Sequence, residues 1–400
     1  MHSIVMITEL IIILVTSLIV GFISKSYISI FKFASKSMKP IMKSNRGLLY
    51  ILSPLFLLLS SLSLRFKHAS GSLSSYLNTL LARVTKQEPI DQDIYPASIP
   101  VVAISSILAV MAGSGIGFEM PAIYVGVCSM MALSTFFTNI PADSLFYYSY
   151  AFLFTVLFGS PLSSILLVIE KALPHHPEHL LSYIGVAIVG SILALLFSDE
   201  PENPYHVPKS DFNYQSLSLK SIGLYGGFAV LCGIASSILI EILNTTFDTV
   251  YQLGPIVAIL CGIGIAFIVN ITKINPVGFD TLFYALSQAG TSIREFIGYV
   301  LNIILTISSG ASCGLFMPSI NLGGSIGSLF STLIGMPSLP FIIFGMAAFL
   351  GAIFHIPITS SVLINILCSQ SYMMLPMMCI LSLLSSFSHN RFNQFMKSFT

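Results

Sequence analysis

The sequence contains very few charged residues. Asp, Glu, Lys and Arg together make up 8% of the 400 residues, whereas soluble domains carry about 25%. Apolar residues make up 55%, which is more apolar surface than a core of ordinary size can hide. This composition excludes a soluble globular protein and indicates one whose side chains mostly face lipid or neighbouring membrane spans.

Cysteine is also scarce, and it is never clustered. The six cysteines lie singly in apolar segments, and their spacing supports neither a disulfide framework nor a metal site. We interpret them as small packing residues. The net charge is +1, and no basic, aromatic-laced patch indicates a nucleic acid partner. The sequence therefore predicts no metal, no cofactor and no nucleic acid.

Long apolar runs recur along the whole chain. Only helices or closed barrels satisfy their backbones in lipid, and these runs are too continuous for the alternating strands of a barrel. We therefore predict an all-α polytopic protein that lies in the lipid bilayer. The runs are Ile4–Ile23, Leu48–Leu64, Ile99–Ile116, Ala122–Ile140, Leu145–Leu173, Leu180–Phe197, Ile222–Ile242, Pro255–Ile271 and a nearly unbroken stretch from Ile297 to Leu384.

The distribution of polar residues predicts how the chain is divided. Ten of the 17 Lys and Arg residues fall before residue 87, which indicates cytoplasmic loops there. A stretch rich in Pro, Asn and acidic residues is interpreted as a linker, and we expect no soluble regulatory domain after the last apolar run. The predicted segments are an N-terminal span with a basic cytoplasmic segment (1–47), a first membrane repeat (48–197), the linker (198–218), a second membrane repeat (219–387) and a short tail (388–400).

Two motifs occur twice at nearly the same offset. The segments 117–126 and 314–323 both read G-x-x-M-P-x-I-x-x-G, 197 positions apart. A second pair of prolines, Pro161 and Pro357, follows at an offset of 196. Two independent matches indicate an internal duplication. Such duplications are typical of transporters, in which the site lies between the repeats near the middle of the membrane.

Each repeated proline predicts the start of a helix inside the apolar zone. Pro121, Pro161, Pro318 and Pro357 fit the first helical turn, where the missing N–H is not needed. The free N–H groups and the helix dipole make such a terminus attractive to anions. Irregular backbone at membrane depth is tolerated only where it lines a cavity. The pattern favours an anion site without a buried cation, which would hold a permeating ion weakly enough to release it.

The motifs resemble those of the CLC family of chloride channels and chloride/proton antiporters, of the bacterial type. Gly117-Phe-Glu-Met-Pro121 resembles the family's G-[K/R]-E-G-P, and Gly314-Leu-Phe-Met-Pro318 resembles its G-x-F-x-P. The likeness extends from about His68 to about Phe387. It implies an inverted-repeat bundle with half-helices ending near the midplane. It also implies a homodimer, joined through Leu162–Ile169, Leu180–Leu196 and segments after Pro357. We expect one pore per subunit because both repeats lie in one chain, and the short architecture favours a bacterial inner membrane.

Glu119 is the residue that we predict to be functional, because an intramembrane acid is costly and rarely incidental. The resemblance implies that the ionised carboxylate competes with chloride, and that the protonated one moves aside. It also implies anion binding by the backbone near Phe118, Glu119, Met120, Leu315 and Phe316, and by the Ser70 hydroxyl. Two alternatives stay open: Glu119 caps its own helix, and Phe316 packs in the core.

The sequence departs from the family pattern where protons would pass. The family's inner glutamate aligns with Lys171, next to Glu170. Glu170 could substitute for it, or the two residues could pair or lie at the membrane surface. The family's late tyrosine is missing from the segment 391–395. We therefore predict transport of chloride or a related anion, either as proton exchange with altered coupling or as passive conduction.

Two other function classes are weaker. A cation-coupled transporter with inverted repeats would need several intramembrane carboxylates, and beyond Glu119 the core segments offer few. An intramembrane enzyme would need a catalytic pair or metal set, which the sequence does not assemble. The histidine-rich segment 175–179 is interrupted by proline, so we interpret it as a solvated loop and not as a metal site.

Overall fold

The apolar runs fold as helices. The computed structural model describes residues 2–65, 94–134, 141–198, 207–210, 218–251, 253–272, 291–312 and 314–398, and this part of the chain contains fourteen α-helices and no strand. The predicted all-α fold is confirmed. The helices are α1 (His2–Ser44), α2 (Leu49–Arg65), α3 (Ile94–Met111), α4 (Glu119–Ser134), α5 (Ala142–Phe158), α6 (Pro161–Ala172), α7 (Leu180–Ala194), α8 (Leu219–Tyr251), α9 (Ile256–Thr272), α10 (Ile293–Ser308), α11 (Phe316–Ile334), α12 (Ser338–Phe354), α13 (Pro357–Leu367) and α14 (Leu375–Lys397).

The helices fall into long and short classes. Five segments of the described chain are long and apolar enough to cross a membrane, and they lie in α1, α2, α7, α8 and α14. Other apolar helices are shorter: α4 has 16 residues, α6 has 12 and α13 has 11. A full crossing needs about 20 residues, so these helices end inside the bundle, as the prolines predict.

The two halves share their order of helices and their local backbone. Helices α1–α7 are followed by α8–α14, and the counterparts α6 and α13, with 12 and 11 residues, are the shortest α-helices described in their halves. Gly113 and Gly310, which are 197 positions apart, have φ angles of 83° and 76°. Gly159 and His355, 196 positions apart, end α5 and α12 in the left-handed conformation, with φ of 61° and 54°. The predicted duplication therefore extends to the backbone.

The repeats are inverted relative to one another. Gly117 and Gly314 hold equivalent positions, and they form an antiparallel bridge in which the Gly117 N–H donates to the Gly314 carbonyl over 3.3 Å. A Cβ atom added to Gly117 would lie 3.1 Å from the Cβ of Met317, and one added to Gly314 would lie 2.9 Å from the Cβ of Met120. Such reciprocal contacts are what a two-fold axis produces.

The prolines mark helix starts to within two residues. Pro161 and Pro357 are the first residues of α6 and α13, whereas Pro121 and Pro318 are the third residues of α4 and α11. In both places the missing N–H belongs to the first turn, where no helical partner exists. The small shift arises because α4 and α11 begin two residues earlier, at Glu119 and Phe316.

Candidate anion site between the repeats

The first residues of α4 and α11 meet where the two repeats bridge. Glu119 is the first residue of α4 and is 1% exposed. Its side chain folds back over Gly117, so that a Cβ atom there would overlap the carboxyl Oε2. The carboxyl group interacts with its own backbone amide and with that of Met317, the second residue of α11. An acid of the first repeat therefore lies at the N-terminus of a second-repeat helix.

The electrostatics of this position favour negative charge. The first four N–H groups of a helix have no helical partner, and the dipole adds partial positive charge there. The Glu119 carboxylate meets that charge, while its Oε2 has no hydrogen-bond partner among the described residues. A carboxylate and a free anion would be held here for the same physical reason.

The loop that leads to Glu119 is held by side chains of α10. The Gly115 N–H donates to Asn302 Oδ1 over 2.7 Å, and Asn302 Nδ2 donates to the Gly113 carbonyl over 3.2 Å. The Tyr299 hydroxyl donates to the Gly115 carbonyl over 3.2 Å and accepts from Asn321 Nδ2 over 2.9 Å. These residues were not predicted. An asparagine inside an apolar run was the available signal, since buried amides need partners.

Three serine hydroxyls near the helix starts lack partners. Ser114 lies in the loop before α4, Ser308 ends α10, and Ser312 lies in the loop before α11. All three are buried, and their Oγ atoms form no hydrogen bond within the described part of the chain. A buried hydroxyl without a partner costs free energy, so these loops retain hydrogen-bonding capacity for an ion or for water.

Phe316 packs in an aromatic cluster. Its ring centroid lies 5.8 Å from that of Phe154, 5.2 Å from that of Phe158 and 5.3 Å from that of Phe354. The side chain therefore packs in the core, which was the alternative left open for Phe316. Its backbone, as the first residue of α11, still belongs to the helix start.

The remaining residues predicted to bind the anion surround these helix starts. Met120 and Leu315 are buried, with Leu315 at the N-cap of α11. Phe118 is partly exposed, and its ring packs against Phe31 of α1 at 5.6 Å between centroids. Ser70 lies outside the described residues. Phe118, Met120, Leu315 and Phe316 therefore lie at the starts of α4 and α11.

Glu170 and Lys171 bind the turn between α12 and α13. Glu170 accepts hydrogen bonds of 2.8 Å from the amides of Ile358 and Thr359, in the first turn of α13. Lys171 Nζ donates over 2.8 Å to the carbonyl of Phe354, the last residue of α12. Each charge matches the dipole of the helix end that it caps. The charged groups of both residues therefore form hydrogen bonds with the backbone of the other repeat.

The histidine-rich segment shows no arrangement for a metal. His176 Nδ1 lies 3.4 Å from Glu178 Oε1. Throughout the described ranges, no group of three or more His, Cys, Asp or Glu side chains is placed to hold a metal ion. The five cysteines in these ranges are unpaired.

Together these features define a multi-pass integral membrane protein, with inverted repeats whose short helices meet at a buried acid. Transporters and channels are the functional classes in which this architecture is found. The family model described as "Voltage gated chloride channel" matches residues 82–389, and the chain belongs to this family, the CLC family. The resemblance of the motifs is thereby confirmed. Members of the family transport ions and are not enzymes.

Known bacterial relatives are similar over part of their length. The chain is 28% identical over 251 residues to the H(+)/Cl(-) exchange transporter ClcA of Vibrio campbellii, which covers 55% of this chain and 50% of that protein. It is 26% identical over 307 residues to ClcA of Klebsiella pneumoniae, covering 70% of this chain and 63% of the relative. The chain thus spans about half the length of the Vibrio relative that it matches.

Solved structures show the same fold. A slow cyanobacterial Cl-/H+ antiporter superposes with a TM-score of 0.76 at 18% identity, covering 95% of this chain and 94% of that one. A CLC-type fluoride/proton antiporter gives a TM-score of 0.76 at 18% identity, with 95% of both chains covered. At such low identity the likeness establishes the fold, while the transported ion has to be argued from the site.

Proposed function

We propose that this protein moves chloride or a similar small anion across the membrane, and that the Glu119 carboxyl gates the pathway. The observation that carries the proposal is the position of this carboxyl, buried over Gly117 against the Met317 backbone at the start of α11. The chloride/proton exchangers among its relatives support the choice of ion.

The gate follows from competition for one site. The ionised carboxylate takes the positive potential of the helix start, and a free anion has to displace it. Protonation removes the charge, which weakens the hold of the backbone amides, and the side chain then leaves the site to the anion. Backbone of Phe118, Glu119, Met120, Leu315 and Phe316 would surround the anion, and Ser70 would add a hydroxyl.

Proton coupling is expected to be altered. Both oxygens of Glu170 accept backbone hydrogen bonds, and the Lys171 ammonium caps α12. Both bonds are strengthened by the negative charge of the carboxylate, and a proton bound there would weaken them, so this pair is better suited to fixing the turn than to passing protons. We therefore infer weakened exchange or passive conduction.

The homodimer stays a prediction that rests on the resemblance. The predicted faces carry exposed apolar side chains, among them Leu162 at 56%, Leu181 at 85% and Ile192 at 59% exposure. In a membrane protein such faces pack against either lipid or a second subunit.

The test is to measure chloride efflux and proton movement together in liposomes. Wild type is compared with Glu119→Gln, and with Glu241→Gln as a control that neutralises an exposed acid on α8. For wild type and the control we expect efflux to rise as pH falls, by at most about tenfold per pH unit for one titrating group. Glu119→Gln should conduct without this response, because its side chain is neutral at every pH.

The outcomes separate the two versions of the proposal. If chloride flux drives protons uphill and Glu119→Gln abolishes only that pumping, the protein is an exchanger. If chloride moves without protons, it is a passive conductor. Absence of chloride flux in reconstituted wild type would overturn the proposal, and a pH response that persists in Glu119→Gln would assign the gate to another residue.

A further inference from the structure

Helix α1 carries a row of lysines along one face. Lys25, Lys32 and Lys36 are separated by seven and four positions, which places them on the same side of the helix. The spacing continues in the sequence at Lys39 and Lys43. A lysine within an apolar span is costly unless it meets water, a headgroup or an anion. The row therefore marks a face of α1 that does not simply contact acyl chains.

The contacts of α1 bring this face to the candidate anion site. The Tyr27 hydroxyl shares a hydrogen bond of 2.7 Å with Ser106 on α3, which fixes α1 against the first repeat. One turn further, Phe31 is 1% exposed and packs on the ring of Phe118. The next residue, Lys32, has its Nζ 5.7 Å from the centroid of the Phe118 ring.

This arrangement puts a positive charge beside the residue that precedes Glu119. Phe118 directly precedes Glu119 and is itself neutral, while the Lys32 ammonium lies over the face of its ring. Exposure falls in order from the surface inwards: Lys32 is exposed, Phe118 is partly exposed and Glu119 is buried. An anion that approaches along this line meets the ammonium before it meets the carboxyl.

We propose that Lys32 is an anion-binding residue at the mouth of the pathway, which concentrates small inorganic anions beside Phe118 before they compete with Glu119. The inference rests on the proposed function and adds an entry site to it. The aromatic face keeps the ammonium in place through a cation–π contact, and because the ammonium stays exposed, the anion is held only briefly. The phosphate of a lipid headgroup shares this chemistry, and the experiment distinguishes the two sources.

Chloride efflux is measured for wild type, Lys32→Gln, Lys32→Arg and, as a matched control, Lys220→Gln on an exposed position of α8. Chloride is kept constant while an impermeant salt sets the ionic strength to about 0.01 M or about 1 M, where the Debye length is about 30 Å or about 3 Å. Each protein is reconstituted in purely zwitterionic liposomes and in liposomes that also contain an anionic lipid.

In zwitterionic liposomes we expect Lys32→Gln to lower efflux roughly threefold to tenfold at low salt, which is the range for losing one positive charge beside the entry site. At high salt the difference should vanish. Lys32→Arg should restore efflux because it keeps the charge, and Lys220→Gln should behave as wild type. A merely structural role of Lys32 would not produce this salt dependence.

The inference is overturned if Lys32→Gln matches wild type at low salt. It is also overturned if the deficit occurs only with anionic lipid, which would assign Lys32 to a headgroup, or if the deficit is independent of salt and persists in Lys32→Arg. Identical gel-filtration profiles verify that the variants are folded. Lack of chloride flux in wild type, in contrast, contradicts the proposed function and not the role of Lys32.

Discussion

The segments 117–121 and 314–318 have the same backbone but different side chains at one decisive position. Both approach their helix through a glycine that bridges to the other, and both carry a proline in the first turn. Where the first repeat has Glu119, the second has Phe316, which packs in the aromatic cluster with Phe154, Phe158 and Phe354. The duplication therefore supplies two equivalent helix starts, and a single acid makes one of them a candidate gate.

A second difference concerns how the repeats cap their short helices. In α6 the N-cap residue Ser160 accepts from the Ser163 amide over 3.4 Å, so this helix caps itself. In α13 the N-cap is Ile356, which has no polar side chain, and Glu170 of the first repeat binds the amides instead. The second repeat thus depends on the first for the cap of α13, whereas the first repeat caps α6 with its own Ser160.

The largest effect on transport is expected from adding one methyl group at a bridging glycine. In Gly117→Ala the methyl overlaps the Glu119 carboxyl and displaces it from the helix start. We expect efflux at neutral pH to rise roughly tenfold. This corresponds to a loss of about 1.4 kcal/mol in the free energy that favours the closed position of the Glu119 side chain. Liposome efflux at neutral and acidic pH measures the change.

The matched variant is Gly314→Ala. Here the methyl would lie 2.9 Å from the Cβ of Met120 and 3.2 Å from the Gly117 carbonyl oxygen. Neither atom belongs to a movable side-chain end, so we expect a loss of about 1–3 kcal/mol in stability and a preserved pH response. An equal rise in efflux for both variants would contradict the assignment of the gate to one repeat.

At the caps we expect a change in stability and no change in gating. Glu170→Ala leaves the amides of Ile358 and Thr359 without their charged acceptor, and should lower the free energy of unfolding by about 2–3 kcal/mol. Ser160→Ala removes an ordinary N-cap and should cost about 1 kcal/mol. Denaturant unfolding in detergent micelles compares the two, with Glu170→Gln as an intermediate. A larger loss for Ser160→Ala would show that α13 does not depend on the first repeat.

The smallest effect is expected where the repeats differ at the left-handed residue. His355 has φ of 54°, a conformation that costs a residue with a Cβ atom about 1–2 kcal/mol. His355→Gly removes this strain but gains unfolded-state entropy, so stability should change by less than about 1 kcal/mol. Gly159→His should lose about 1–2 kcal/mol. Thermal unfolding in detergent measures both, and a gain in stability for Gly159→His would contradict the equivalence of the two turns.

The fold and the centre of the candidate site could be predicted because their determinants are local in sequence. A proline followed by an apolar run specifies a helix start, and the repeated spacing identified Glu119 as the acid at one of them. The roles of Tyr299 and Asn302 could not be predicted in the same way. They act on a loop more than 180 positions away, through side chains that resemble any buried polar pair.

The partners of Glu170 and Lys171 could not be predicted either, because they too are distant in sequence. Alignment to the family pattern set Lys171 at the place of the inner glutamate and left open whether Glu170 substitutes for it, or whether the two residues pair or lie at the membrane surface, because an alignment compares only positions along α6. Their observed partners, the amides of Ile358 and Thr359 and the carbonyl of Phe354, belong to the other repeat. Only the packing of α6 against the turn between α12 and α13 reveals that each charge matches a helix end.

The capping of α13 by Glu170 also bears on the order in which the chain is made. The ribosome completes α6 well before α12 and α13 leave it, so the acid and the ammonium are available before the turn that they bind. When this turn arrives, its exposed amides and carbonyl meet an acceptor and a donor already positioned in the membrane. The first half can therefore serve as the template on which the second half assembles, whereas a second half synthesised alone would insert with that turn uncapped.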